Sequence, residues 1–172
     1  MTKILKLKGE TAVFIDAANI ELSAKDLKFR IDYQKLKKFL EKQGEIIYLG
    51  FYTVRFETKS HNNFLTVLKK LGYKLVTKPV KIIKRGKTNQ SHIRKANFDV
   101  EIAVEAMKRV NQYESLVLFS GDSDFDYLLH ELKKQGKKVF VVSLRHHIAK
   151  ELVKSADYYF DLKKIKSVIE RK

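Results

Sequence analysis

Five short runs constrain the fold most: "TAVFID" at 11–16, "EIIYLGFYTV" at 45–54, "YKLVTKPV" at 73–80, "SLVLFSG" at 115–121 and "KVFVVSL" at 138–144. They are rich in β-branched and aromatic residues and apolar at consecutive positions, the pattern of strands covered on both faces. Between them lie segments with helical spacing. "DYQKLKKFLEKQG" puts Tyr33, Leu36, Phe39 and Leu40 on one face, and "HNNFLTVLKKLG" does so with Phe64, Val67, Leu68 and Leu71. "FDVEIAVEAMKRVNQ" carries Ile102, Ala103, Ala106 and Met107, and "FDYLLHELKKQG" carries Leu128, Leu129 and Leu132. Gly44, Gly72 and Gly136 read as helix stops. Strands therefore alternate with helices, which predicts a three-layer α/β/α fold around a central, mostly parallel sheet of about five or six strands.

No repeat or linker interrupts the chain, so residues 1–172 read as one domain with a core over about 11–160. The tail "YYFDLKKIKSVIERK" predicts a last short strand and a basic C-terminal helix. Residues 80–97, "VKIIKRGKTNQSHIRKAN", lack clear periodicity and are expected to form a basic functional loop.

Lys and Arg number 36 against 20 Asp and Glu, a formal charge of +16 that suits a polyanionic partner. With no cysteine, thiol catalysis, disulfides and cysteine-based zinc sites are excluded. The segment "MTKILKLKGE" is too short on apolar residues for a signal peptide, and no run approaches the roughly 20 apolar residues of a membrane helix. A cytoplasmic protein with no membrane contact is the expectation; a homodimer is compatible with it.

In parallel α/β sheets ligands bind beyond the carboxyl ends of the strands, and acidic residues collect there. Asp16 ends the first apolar run, Asp122 and Asp124 follow the fourth, and Asp99 starts a helix. Each taken alone fits helix capping. Asp126, three residues after Ser123, resembles a capping-box partner and reads as structural. Several carboxylates meeting at one sheet edge would repel unless a cation or a proton neutralised them, and hard oxygen ligands suit Mg²⁺ or Mn²⁺. From Thr58 to Phe98 there is no Asp or Glu but eleven Lys and Arg. Lys84, Arg85, Lys87, Arg94 and Lys95 lead directly towards Asp99 and are candidates for phosphate contacts. Metal-held carboxylates flanked by cations suggest phosphodiester hydrolysis.

"FIDAANI", "KANFDVEIAVEAM" and "LFSGDSDFDYLL" together resemble the NYN domain family, the LabA-like branch of the PIN-like nucleases, over roughly residues 11–160. They look like its Asp-x-x-Asn turn, its Lys-x-x-x-Asp helix start and its Ser-Gly-Asp-Ser-Asp-Phe signature. The resemblance implies a PIN-like (Rossmann-like) fold and a metal-dependent ribonuclease site of Asp16, Asp99, Asp122 and Asp124, with Asn19 orienting ligands or substrate. Asn97 and Phe98 depart from the family's Gly-Val, and the basic insert is larger than expected.

Two other readings compete. Gly121, Asp122 and Asp126 also resemble a motif of haloacid dehalogenase-like phosphatases, but those need Asp-x-Asp after the first strand, and Ala18 stands there. A basic RNA-binding module with a weak or silent site is the non-enzymatic alternative. Tyr52, Phe56 and Phe98 would stack on bases if exposed. The five histidines show no metal-binding spacing; His146 and His147 are weak candidates for RNA contact.

Overall fold

The computed structural model describes residues 5–84, 91–94 and 97–172, with 81–84 and 91–94 described as backbone. Six parallel strands form one sheet: β1 (Glu10–Asp16), β2 (Glu45–Arg55), β3 (Lys74–Pro79), β6 (Ser115–Phe119), β7 (Lys138–Ser143) and β8 (Tyr158–Asp161). Their order across the sheet is β3-β2-β1-β6-β7-β8. Between β3 and β6 the chain adds a separate antiparallel pair, β4 (Lys81–Lys84) with β5 (Ser91–Arg94).

The consecutive apolar residues divide by parity between two cores, because successive side chains of a strand point to opposite faces. Val13, Ile15, Leu49, Phe51, Val117 and Phe119 face one side, where α1 (Ala17–Asp26), α2 (Tyr33–Gln43), α3 (Lys59–Lys70) and the single-turn α7 (Lys166–Ile169) cover them. Ala12, Phe14, Tyr48, Tyr52, Leu116 and Leu118 face the other, under α4 (Asp99–Lys108), α5 (Asp126–Lys134) and α6 (Lys150–Ser155). The fold is thus the expected three-layer α/β/α arrangement, and its sheet is parallel throughout.

Three elements differ from expectation. The basic segment 80–97 holds the β4–β5 pair, because β-branched Ile82 and Ile93 lie opposite each other in a register that closes the arms. Helix α1 has no apolar stripe in the sequence; its buried face is Ala17, Ile20, Ser23 and Ala24, of which all but Ile20 are small. The tail makes the expected short strand, but a 3-10 turn (Leu162–Ile165) then leaves only one turn, α7, for the basic helix, and Ile165 and Ile169 are buried. Among the described residues no helix is long and apolar enough to cross a membrane.

Connectivity reverses direction between β1 and β6, so their carboxyl ends frame the crevice where parallel sheets bind ligands. Ile15 pairs with Phe119, which brings the next residues, Asp16 and Ser120, side by side.

Candidate metal centre

Asp16 does two jobs at this crevice. It is the last residue of β1 and the N-cap of α1, where Oδ1 accepts the Asn19 N–H at 3.4 Å. Ser120 Oγ donates to its Oδ2 at 3.3 Å, so both carboxylate oxygens have protein partners. Burial pushes the Asp16 carboxyl up to about 6; the bonds from Asn19 and Ser120 oppose the rise, and the charges of Asp99 and Asp122 add to it.

Asn19 reaches in the other direction, its Oδ1 accepting the Gly121 N–H at 3.0 Å, which latches α1 to the loop after β6. Gly121 is required by a close approach: a Cβ there would collide with the backbone carbonyl of His147. Asp122 follows, its N–H on Ser120 Oγ at 3.3 Å and its Oδ1 accepting the Asp124 N–H at 3.1 Å. That bond caps a 3-10 turn, Ser123–Phe125, which leads into α5. The cap is therefore Asp122, and the capping box expected from Ser123 does not form, since the chain turns once before the helix begins. Asp126 is held by Ser155 Oγ and lies 3.6 Å from His130 Nε2, away from the crevice loop bonds.

Asp99 enters from the other chain segment as the first residue of α4, its N–H capped by Asn97 Oδ1 at 2.7 Å. Lys78 Nζ fixes this start, donating to the Asn97 carbonyl at 2.7 Å and pairing with Glu101 Oε1 at 2.7 Å. Asp99 Oδ2 is buried and has no hydrogen-bond partner. Burial pushes its carboxyl up; a hydrogen bond between the Asn97 side chain and the carboxyl opposes this, and the charges of Asp122 and Asp124, together with a hydrogen bond to the Asp124 side chain, reinforce it.

Asp99, Asp122 and Asp124 each offer a carboxylate oxygen, all within 4.8 Å of one another. Asp16 stands outside that set, although its charge is felt by it. Among the described residues no lysine or arginine forms an ion pair with the three. Three crowded carboxylates, one with an orphaned buried oxygen, fit a hard divalent cation, whose charge would remove the repulsion and whose coordination would satisfy Asp99 Oδ2.

Of the remaining expected contacts, Arg85, Lys87 and Lys95 lie outside the described residues, as do the side chains of Lys84 and Arg94. His147 is not free to meet a phosphate: Nδ1 lies 3.0 Å from Ser23 Oγ and Nε2 lies 2.7 Å from Asp26 Oδ2, both on α1. Sequence reasoning missed Ser120, Asn97 and Lys78. Ser120 was findable, since aligning the apolar runs of β1 and β6 sets it beside Asp16.

The sequence pattern of the NYN domain family matches residues 10–163, and the chain belongs to this family of PIN-like nucleases. It is 31% identical over 162 residues to "Low amplitude and bright protein LabA" of Synechococcus elongatus, covering 93% of this chain and 87% of that one. A crystal structure of a protein of unknown function from Vibrio parahaemolyticus shares the fold with a TM-score of 0.77 at 21% identity, over 94% of this chain and 96% of that chain.

Proposed function

We propose that the protein is a ribonuclease dependent on Mg²⁺ or Mn²⁺, its chain forming one NYN domain over residues 1–172. The observation that carries this reading is the triad of Asp99, Asp122 and Asp124 with oxygens within 4.8 Å, built at the switch point of a parallel sheet. Those three carboxylates would hold the cation, which supplies activation of water and stabilisation of charge on the phosphate. Asp16 shapes the cup from behind by orienting Ser120, and Asn19 fixes the backbone that carries Asp122. The excess of 36 Lys and Arg over 20 acids would draw the RNA backbone to a site that is itself acidic. Lys84, Arg85, Lys87, Arg94 and Lys95 are proposed phosphate contacts on the approach to Asp99, and the working compartment is the cytoplasm.

The test is cleavage of end-labelled single-stranded RNA with and without Mn²⁺, with Asp122→Asn as control. Metal-dependent cleavage lost in the variant is the expected result. Binding without cleavage under any divalent ion would instead make the protein an RNA-binding module, and hydrolysis of small phosphomonoesters alone would make it a phosphatase.

A further inference from the structure

Beside the acidic cup opens an apolar cleft of about 860 Å³ that the chemistry above does not use. Its walls include Leu22 of α1, Val54 of β2, His61 and Phe64 of α3, with Phe56 at the turn after β2 and Phe98 before α4. Cup and cleft are neighbours through two covalent and register links. Phe98 directly precedes Asp99, and Tyr52, which also lines the cleft, is the β2 partner of Asp16. Adjacent strands lie only about 4.8 Å apart, so the cleft wall at Tyr52 stands about one strand width from Asp16, the acid beside the triad.

The cleft's surface is unusual for so basic a chain. Phe56 is 38% exposed and Leu22 46% exposed, both apolar and both facing the same hollow. Phe56 is braced edge-to-face on His61, ring centroids 5.1 Å apart, and His61 is itself anchored by Nε2 on the Val54 carbonyl at 3.0 Å. A braced ring at the mouth of an apolar hollow is a stacking platform. Charges of both signs stand at its margins: Lys25 lines it, as does Glu21, whose Oε1 accepts from the Tyr33 hydroxyl at 3.2 Å, and Lys78 Nζ sits 4.9 Å over the Phe98 ring.

We propose that this cleft takes one unpaired nucleobase of the strand whose phosphodiester lies over the acidic cup, with Phe56 as the stacking ring. The occupant is identified by chemistry: a flat apolar face one step along from an anionic linkage matches an apolar hollow, with a braced aromatic ring in its wall, beside the proposed cation site. A base held in a duplex presents no free face to the cleft, so the substrate class is single-stranded. The proposal rests on the ribonuclease reading for the placement of the phosphate, and its test is kept apart from cleavage.

Fluorescence anisotropy in EDTA, where no hydrolysis occurs, would compare a labelled thymidylate hexamer and a uridylate hexamer with a fully abasic hexamer of equal charge. The base-bearing strands are expected to bind about tenfold more tightly than the abasic one. Phe56→Ala should abolish that difference while leaving abasic binding unchanged, and Phe56→Tyr should restore it. Equal binding of all three strands overturns the proposal, as does Phe56→Ala weakening abasic and base-bearing strands alike. Tight binding of a blunt duplex, or a cleft that takes a protein and is indifferent to oligonucleotides, also overturns it. Base-dependent binding without Mn²⁺-dependent cleavage would sink the ribonuclease reading and leave the cleft assignment standing.

Discussion

The two halves of the acidic cluster differ in how they are satisfied. Asp16 has a protein donor on each oxygen, and with Asn19, Ser120 and Gly121 it closes a ring of bonds joining β1, α1 and the loop after β6. Asp99, Asp122 and Asp124 face each other with one buried oxygen unpaired. Identical chemistry is used differently: Asp16 commits both oxygens to architecture, whereas Asp122 gives one oxygen to the Asp124 N–H and Asp99 keeps a buried oxygen without a protein partner.

The sharpest way to break this contrast is Asp122→Asn, which keeps the cap on Asp124 N–H through its amide oxygen but removes a charge from the triad. RNA cleavage in Mn²⁺ should fall by about a hundredfold or more, read from single-turnover rates. Thermal stability without metal should hold or rise. A fall in both would mean that Asp122 belongs to the architectural half.

Gly121→Ala attacks the other half. Its Cβ would meet the His147 backbone carbonyl, which cannot swing aside as a flexible side chain would, so the loop must shift and the Asn19 bond is strained. A loss of about 2–3 kcal/mol by urea unfolding is expected.

Asp16 allows a titration test. Its folded carboxyl lies at about 6 and an unfolded one near 3.8, so between these values the folded chain holds more protons. Its contribution to stability is full below pH 4 and is lost as pH rises through 6. In metal-free protein, Asp16→Asn should flatten the stability profile between pH 4 and 7 by about 1–3 kcal/mol relative to the parent. A variant with an unchanged profile would show that the buried charge is not strained.

The smallest effect is metal addition itself. Mn²⁺ at ten times its dissociation constant should stabilise the parent by about 1.4 kcal/mol and Asp122→Asn by much less, as a shift in melting temperature.

Much of this was legible in the sequence for a simple reason: strands buried on both faces have to be apolar at every position, so β1, β6 and β7 were visible as runs. Asp16, Asp99 and Asp122 were legible as strand-end or helix-start acids. What escaped was whatever depended on register or on small side chains. Helix α1 hides because Ala17, Ser23 and Ala24 lie flat against the sheet, where larger residues would not fit. The split between Asp16 and the other three acids escaped too, since it is made by Ser120 and Asn19, polar residues whose partners are about a hundred positions away.

His147 spans α1 by both ring nitrogens while its carbonyl packs on Gly121. That clasp braces the turn bearing Asp122 and Asp124 against α1. For the proposed cation the consequence is a preference by ionic radius: Mg²⁺ or Mn²⁺ is expected to raise the melting temperature more than Ca²⁺, whose longer bonds would require the braced turn to move.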